Sequence, residues 1–253
     1  MPSAKRRRAL QMPEYHSKEL KILSSDCDRF QHLRLSKLFS ILQEISIADV
    51  ERVGLTRDKT LDKGMLWVIS RMRLEMERPI CYDETITIST IAGKRAHMMF
   101  PRYYEVRDSE GTLIMRGSAI WLLIYADSRT PIVPEEENIE IPGVEEQGMP
   151  PLPMGLRAIE SDIPAIIRKV MYSDIDLNGH MNNTRYLDWI DDMYDMHFHE
   201  VTRIRTLQIN YLKELSYGDQ VTLFYEYENG MYRIDGVMDG DKVFSACAEV
   251  EKR

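Results

Sequence analysis

The chain has 253 residues, enough for one large domain or for two small ones that each bury a modest core. Hydrophobic residues make up 43% of it and charged residues 29%, a composition typical of a folded globular protein. The formal net charge of -8 argues against nucleic acid as the default partner, because binding to phosphates needs a basic surface. The sequence contains no run of about 18 apolar residues, so we expect no membrane span.

The chain begins with a basic stretch that no apolar segment of signal-peptide length follows. We expect residues 1–13 to form a disordered basic tail and the protein to be cytoplasmic. The three cysteines, Cys27, Cys81 and Cys247, lie far apart and form no CxxC pair. This spacing favours small buried side chains over a disulfide framework or a zinc site, and we expect no metal.

A stretch rich in proline and glutamate divides the chain. Seven of the 11 prolines lie between Pro131 and Pro164. Proline removes a backbone donor and fixes φ, and clustered acidic residues repel one another, so the stretch is typical of an extended linker. We therefore predict a first domain over residues 14–134, a linker over 135–162 and a second domain over 163–253.

The two predicted domains repeat the same order of elements. Each has a short extended segment and then an acidic turn, at residues 25–28 in the first domain and 173–176 in the second. Apolar residues then recur at three- and four-residue steps: Leu35, Leu38, Phe39, Leu42 and Ile45 in the first domain, and Tyr186, Leu187, Ile190, Met193 and Tyr194 in the second. These patterns predict one helix that Gly54 ends and a second helix that Asn183 caps.

Strand patterns follow each predicted helix. Residues 66–76 alternate between apolar and polar side chains, and residues 207–211 repeat the alternation in the second domain. Turns at residues 109–111 and 239–241 then lead to the closing strands. A long helix wrapped by a curled antiparallel sheet, occurring twice, predicts an α+β protein with a tandem hotdog fold.

Polar side chains are concentrated where the second domain passes from its acidic turn into its helix. Asp176, Asn178, His180, Asn182 and Asn183 all lie there. Backbone N–H groups at a helix N-terminus can polarise a carbonyl or hold an anion. Any one of these residues alone would more often form a turn or a cap. Turns do not require Asp, Asn and His at alternating positions, so the combination indicates catalysis.

This segment resembles the signature Asp-x-Asn-x-His-x-Asn-Asn-x-x-Tyr-x-x-Trp of the acyl-acyl-carrier-protein thioesterases, the family of the plant FatA and FatB enzymes and their bacterial relatives. The matching residues are Asp176, Asn178, His180, Asn182, Asn183, Tyr186 and Trp189. The resemblance extends over nearly the whole chain. It implies hydrolysis of fatty acyl-acyl carrier protein, with the carrier protein and a fatty acyl chain as partners. No cofactor is implied, because the substrate carries the phosphopantetheine arm. A homodimer is possible.

The resemblance implies a catalytic set of Asp176, Asn178, His180 and Glu214. Plant members often have a cysteine directly after this glutamate, but Leu215 stands here, which excludes a cysteine mechanism at this position. His180 and Glu214 could activate a water molecule together, or Glu214 could attack the thioester directly. We favour water activation. We expect Asn178 to hold the water and Asp176 to fix the loop.

The first domain has no equivalent of this site, so we expect it to hold the acyl chain. We predict substrate-binding roles for six residues: Leu38, Leu42, Trp67, Arg71, Asn182 and Asn183. His197 and His199 could imitate a metal pair, but no third ligand with suitable spacing is evident.

Two other functions compete with carrier-protein hydrolysis. An acyl-CoA thioesterase of the same fold would act on an identical phosphopantetheine arm. A non-catalytic acyl-binding hotdog protein would have no need of the His180 and Glu214 pair. Hydratases of this superfamily are similar to one another in an Asp-x-x-x-x-His pattern, which residues 176–180 do not match.

Overall fold

The computed structural model describes residues 14–135, 137, 139–160 and 164–253. The tail predicted over residues 1–13 lies outside the described residues. The first half contains β1 (His16–Lys21), α1 (Leu35–Arg52), α2 (Arg57–Leu61), β2 (Met65–Met76), β3 (Thr85–Ala92), β4 (Met99–Asp108) and β5 (Leu113–Tyr125). The second half contains β6 (Pro164–Lys169), α3 (Arg185–Asp191), α4 (Met196–Val201), β7 (Thr202–Tyr211), β8 (Gln220–Glu228), β9 (Met231–Met238) and β10 (Asp241–Lys252).

These strands form one antiparallel sheet in the order β1-β3-β4-β5-β2-β7-β10-β9-β8-β6. The order within each half mirrors the other, which places a pseudo-twofold axis between β2 and β7. Each half packs helices against its own five strands. The predicted α+β tandem hotdog is therefore confirmed. No helix in the described part of the chain is long and apolar enough to cross a membrane.

The strands β2 and β7 join the two halves into a single sheet. Arg71 in β2 pairs with Asn210 in β7, and the pairing continues to Glu75 opposite Thr206. Because side chains alternate along a strand, Met72 and its neighbours on the same face are fully buried under the helices. The sheet is continuous across the expected domain boundary, so the limits of the two domains stay a prediction.

Helix α1 confirms the first helical pattern. It spans Leu35–Arg52, and the buried residues Leu38 and Leu42 lie on its inner face. The chain leaves the helix at Gly54, whose φ of 88° is in the left-handed region that glycine adopts without strain. The apolar spacing therefore set the limits of this helix well.

The second helix differs from its prediction in both length and cap. Helix α3 ends at Asp191, Thr184 is its N-cap residue, and Asn183 lies outside it. Its last turn carries acidic but no basic residues, and negative charge is unfavourable beside the carbonyl end of a helix. Asp195 then accepts a hydrogen bond from the Phe198 N–H over 2.7 Å and so caps the separate helix α4.

The two predicted hairpin turns are present. In the β9–β10 turn, Asp239 and Gly240 have φ values of 53° and 84°, the pairing that a tight two-residue hairpin requires. In the β4–β5 turn, Gly111 has a φ of 83° and its N–H donates to the Asp108 carbonyl over 3.0 Å. Turn chemistry was therefore a sound guide to strand ends.

In the segment between β5 and β6, Pro151 and Met154 lie on the outer face of the sheet, opposite the helices. The described residues of the segment form no helix and no strand. The Ser118 hydroxyl donates to the Pro151 carbonyl over 2.6 Å. The Met154 carbonyl accepts from the side-chain amides of Gln208 and Asn210 over 2.6 and 3.0 Å. These contacts tie the segment to both halves.

Asp191 should make stability depend on pH. Burial raises the pKa of its carboxyl to about 7, and the nearby Asp188 and Asp192 carboxylates add to the rise. An unfolded aspartate ionises near pH ~4. Between these values the folded chain binds more protons than the unfolded chain, so stability falls as pH rises through this window.

We therefore expect Asp191→Asn to raise the free energy of unfolding by about 2 kcal/mol at pH 8, after allowance for solvent around a half-buried group. At pH 4 most of the gain should vanish, because the wild-type carboxyl is then protonated in the folded state and about half protonated in the unfolded state. Urea unfolding at the two pH values measures this, with the exposed Asp127→Asn as the control. An equal gain at both values would contradict the assignment.

Candidate active site

A tight turn carries the Asp-Asn-His motif in front of α3. The Asp176 N–H donates to the His180 carbonyl over 2.9 Å, and the Asn178 N–H donates to the Asp176 carboxylate over 2.7 Å. Gly179 has a φ of 81°, which closes the turn without strain. Asp176 therefore shapes the loop, while Asn178 and His180 offer their side chains to the site.

A backbone contact brings this loop to the end of β7. The Met181 N–H donates to the Leu215 carbonyl over 2.7 Å. His180 consequently lies beside Glu214, with 3.6 Å between the Nε2 atom of the histidine and the Oε2 atom of the glutamate. This distance exceeds that of a direct hydrogen bond, and catalytic contacts often tighten only when substrate is bound. The structure therefore brings together two residues that are distant in sequence.

Arg129 is a third charged group at the site, and it comes from the first half. Its Nε atom lies 3.4 Å from the Glu214 Oε2 atom, and its Nη2 atom lies 3.5 Å from the His180 Nδ1 atom. The residue has a φ of 57°, a left-handed conformation that costs a non-glycine residue about 1–2 kcal/mol. No pattern in the sequence predicts a role for Arg129, because it lies outside the matched motif in the turn after β5.

Asn178 is also held from the first half. The Arg57 guanidinium, at the start of α2, donates to the Asn178 Oδ1 atom over 3.0 Å. Because the amide oxygen is occupied, the Nδ2 group of Asn178 is the part left to donate to a bound molecule. The site is thus built across the two halves.

The His180 and Glu214 pair lies on a cavity of about 500 Å³, within the usual size range of small-molecule sites. A smaller and mainly apolar cavity of about 120 Å³ lies beside it in the first half. Gln43, Trp67 and Asn178 line both. The two cavities therefore adjoin, with the charged residues on the larger one and mainly apolar surroundings in the smaller one.

Two tyrosines line the larger cavity. The rings of Tyr186 and Tyr211 meet edge to face, with their centroids 5.3 Å apart. Burial raises the pKa of both phenols, and the Glu214 carboxylate adds to the rise for Tyr186. Both side chains therefore stay neutral. The Tyr211 hydroxyl donates to the Asn183 carbonyl over 2.9 Å and so fixes the loop before α3.

Two of the six residues predicted to bind substrate line a cavity. Trp67 lines both cavities, and Asn183 lines the larger one. Asn182 is used locally instead, because its side-chain oxygen accepts from the N–H and the hydroxyl of Thr184 over 2.9 and 2.8 Å. One backbone donor before α3 is thereby already occupied.

The other three residues lie away from both cavities. Leu38 and Leu42 are 1% and 0% exposed and pack into the core. The residues of α1 that line the cavities are Gln43, Ser46, Ile47 and Val50. Arg71 lies on the outer face of the sheet, opposite the cavities, beside its partner Asn210.

The described residues contain no group of three or more His, Cys, Asp and Glu side chains suited to a metal ion. His197 lies 3.8 Å from Glu200, whereas the His199 Nε2 atom lies 3.0 Å from the Asp191 carbonyl oxygen. The two histidines thus have separate partners.

Comparison with known proteins places both halves in one family. The sequence model of the acyl-ACP thioesterase N-terminal domain matches residues 13–141, and that of the C-terminal domain matches residues 165–243. A palmitoyl-acyl carrier protein thioesterase of Arabidopsis thaliana is 24% identical over 187 residues, which is 68% of this chain and 45% of that protein. An oleoyl-acyl carrier protein thioesterase of the same plant is 20% identical over 207 residues, 74% of this chain and 56% of its own length. The chain spans about half the length of the curated relatives it matches.

Solved structures share the fold over almost the whole chain. An acyl-ACP thioesterase from Bacteroides thetaiotaomicron superposes with a TM-score of 0.84 at 20% identity, covering 94% of this chain and 98% of the other. The 12:0-ACP thioesterase from Umbellularia californica gives 0.81 at 17% identity, with coverage of 94% and 98%. At these identities the likeness concerns the fold.

We expect Tyr211→Phe to lower the free energy of unfolding by about 1–2 kcal/mol, because it leaves the Asn183 carbonyl without its donor. Urea unfolding measures the change. Tyr225→Phe, at an exposed position on β8, is the matched control and should have no effect. Equal effects of the two substitutions would show that the hydroxyl contact does not stabilise the loop.

Proposed function

Because the chain belongs to the acyl-ACP thioesterase family, we propose that it hydrolyses the thioester of fatty acyl-acyl carrier protein to a free fatty acid and the holo-carrier protein. The observation that carries this proposal is the His180 and Glu214 pair on a cavity that adjoins a mainly apolar one. The charged residues suit the thioester, and the apolar cavity suits the acyl chain.

The apolar cavity supports an acyl substrate. Trp67, Phe100 and Trp121 line the smaller cavity, and the rings of Trp67 and Phe100 meet edge to face at 4.9 Å. Each CH₂ group that leaves water for such surroundings contributes about 0.8 kcal/mol. An acyl chain bound there would leave its carbonyl carbon near Asn178, which lines both cavities.

The charged residues support attack by water. His180 and Glu214 are placed to take a proton from a water molecule as its oxygen bonds to the thioester carbonyl carbon. When the carbon–sulfur bond breaks, the same pair returns the proton to the departing sulfur. The Asn178 Nδ2 group is available to steady the carbonyl oxygen or the water. Arg129 keeps a positive charge beside the Glu214 carboxylate.

Direct attack by the Glu214 carboxylate is the alternative chemical route. We favour water activation, because the 3.6 Å between the His180 Nε2 atom and the Glu214 Oε2 atom places both side chains where they can act on one water molecule. A cysteine nucleophile is absent at this position, because the residue after Glu214 is Leu215, which is fully buried.

The partners belong to this proposal as well. The named relatives act on acyl carrier proteins, and we infer the same partner for this chain. An acyl-CoA thioesterase remains the second candidate, because CoA presents the same arm to the same cavity. A homodimer and a cytoplasmic location stay predictions.

We expect His180→Ala to lower the rate of thioester hydrolysis about 100-fold or more, because it removes the group that moves the proton. Release of free thiol from acyl carrier protein measures the rate. His197→Ala, at an exposed position outside the site, is the control and should keep full activity. Near-full activity of the His180→Ala protein, with its fold intact, would remove His180 from the mechanism.

A comparison of the two carriers separates the candidate substrates. We expect kcat/KM for one acyl group to be at least about tenfold higher on acyl carrier protein than on CoA, because a protein carrier adds its own contacts to those of the shared arm. Thiol release from both substrates under the same conditions measures this ratio. Equal efficiency on CoA would favour the acyl-CoA thioesterase.

A further inference from the structure

A second cleft of about 400 Å³ lies on the other side of the pseudo-twofold axis. It is lined by the loop before α1, the end of α3, the helix α4 and the start of β7. None of the residues of the proposed active site lines it. It is therefore a separate cavity, in the size range of small-molecule sites.

The loop of the second cleft repeats the geometry of the active-site loop. The Asp28 N–H donates to the His32 carbonyl over 2.8 Å, as Asp176 does to His180. The Leu33 N–H then donates to the Ile80 carbonyl over 2.8 Å, as Met181 does to Leu215. The two histidines consequently occupy equivalent places in the two halves.

Each histidine also faces an arginine from the opposite half. The Nη2 atom of Arg253, which follows β10, lies 3.1 Å from the His32 Nδ1 atom. Arg129, which follows β5, approaches His180 in the same way. Asp191 lines the second cleft from a helical position equivalent to that of Gln43 in the active site. The second cleft thus has the framework of the first.

The groups needed for hydrolysis are replaced. Register with the active-site loop places Pro79 where Glu214 stands and Phe30 where Asn178 stands. Proline and phenylalanine supply neither a proton acceptor nor an amide donor. The cleft therefore keeps a shape suited to a ligand but lacks the counterparts of Glu214 and Asn178 that the proposed hydrolysis uses.

The charges in the cleft suit an anion. Arg29, Arg34, Arg203 and Arg253 line it. The opposing acids Asp28 and Asp192 are engaged in contacts of their own.

The Asp28 carboxylate accepts from the backbone N–H groups of Phe30 and His32 over 2.8 and 2.9 Å. Asp192 forms an ion pair of 2.8 Å with Arg168. Burial raises the pKa of Asp191 to about 7, which leaves it only partly charged near neutral pH. Arg203 is itself paired with Glu251. The other three lining arginines still outnumber Asp28 and the partly charged Asp191.

Apolar side chains complete the cleft. Phe30, Tyr194, Phe198 and Ile204 line it together with the arginines. The rings of Tyr194 and Phe198 are stacked with their centroids 4.2 Å apart. A ligand that fits both kinds of lining has an apolar body and a negatively charged end.

We propose that this second cleft binds, without hydrolysing it, an acyl chain that carries an anionic head group. Two sources share this chemistry: a free fatty acid, through its carboxylate, and an acyl-CoA, through its phosphates. The proposal goes beyond the function proposed above and does not depend on it, because it concerns binding alone.

Calorimetric titration of the full chain with dodecanoate, and separately with the non-hydrolysable thioether of dodecyl-CoA, tests the proposal. We expect Arg253→Glu to weaken one binding event by about tenfold or more, because it reverses a charge that faces the ligand. Arg29→Glu, at a second exposed position in the cleft, should weaken the same event. Lys252→Glu makes the same charge change at the adjacent residue outside the cleft and should leave binding unchanged.

If the two cleft variants weaken the binding of dodecanoate alone, the ligand is a carboxylate. If they weaken the binding of the thioether alone, the ligand is a CoA derivative. Either result supports the proposal. If no binding event of either probe changed in the two cleft variants, the proposal would be overturned. This titration measures binding and is independent of hydrolysis. A chain inactive toward acyl carrier protein could still bind here, and an active one could fail to.

Discussion

The antiparallel pairing of β2 with β7 is the contact on which the rest of the structure depends. It joins two five-stranded halves into one sheet and places their helices side by side on the same face, with a shared core between helices and sheet. Because the halves are related by a pseudo-twofold axis through this pairing, the histidine loop of each half meets groups from the other. His180 is a residue of the second half, while Arg129 and Arg57 come from the first. Neither half alone would contain the proposed site.

The duplicated framework has diverged in chemistry rather than in shape. One cleft has His180 and Glu214 beside an apolar cavity, and the other has Pro79 at the position of the glutamate. The backbone hydrogen bonds that place the two loops agree to within 0.1 Å in their donor–acceptor distances. The two loops can differ in chemistry and keep one shape, because backbone hydrogen bonds hold them in place and do not depend on the outward-facing side chains.

The sequence was informative wherever local chemistry decides the outcome. Apolar spacing predicted α1 and its end at Gly54, and the Asp-Asn-His pattern drew attention to the loop that the structure places beside Glu214. The sequence did not predict the features that depend on contacts between distant parts of the chain. The spacing that buries Leu38 and Leu42 does not reveal that they pack into the core rather than along a cavity. No local signal marks Arg129, because its role depends on the pairing of two halves far apart in sequence.

The central claim is that His180 and Glu214 activate a water molecule, and a single turnover in ¹⁸O-water tests it most directly. Rapid quenching of acyl carrier protein hydrolysis, followed by mass spectrometry of the fatty acid and of the intact chain, measures where the oxygen goes. Water activation predicts one ¹⁸O atom in the released fatty acid, none in the Glu214 carboxylate, and no acyl adduct on the chain. An acyl adduct on Glu214, or ¹⁸O in its carboxylate, would contradict the account.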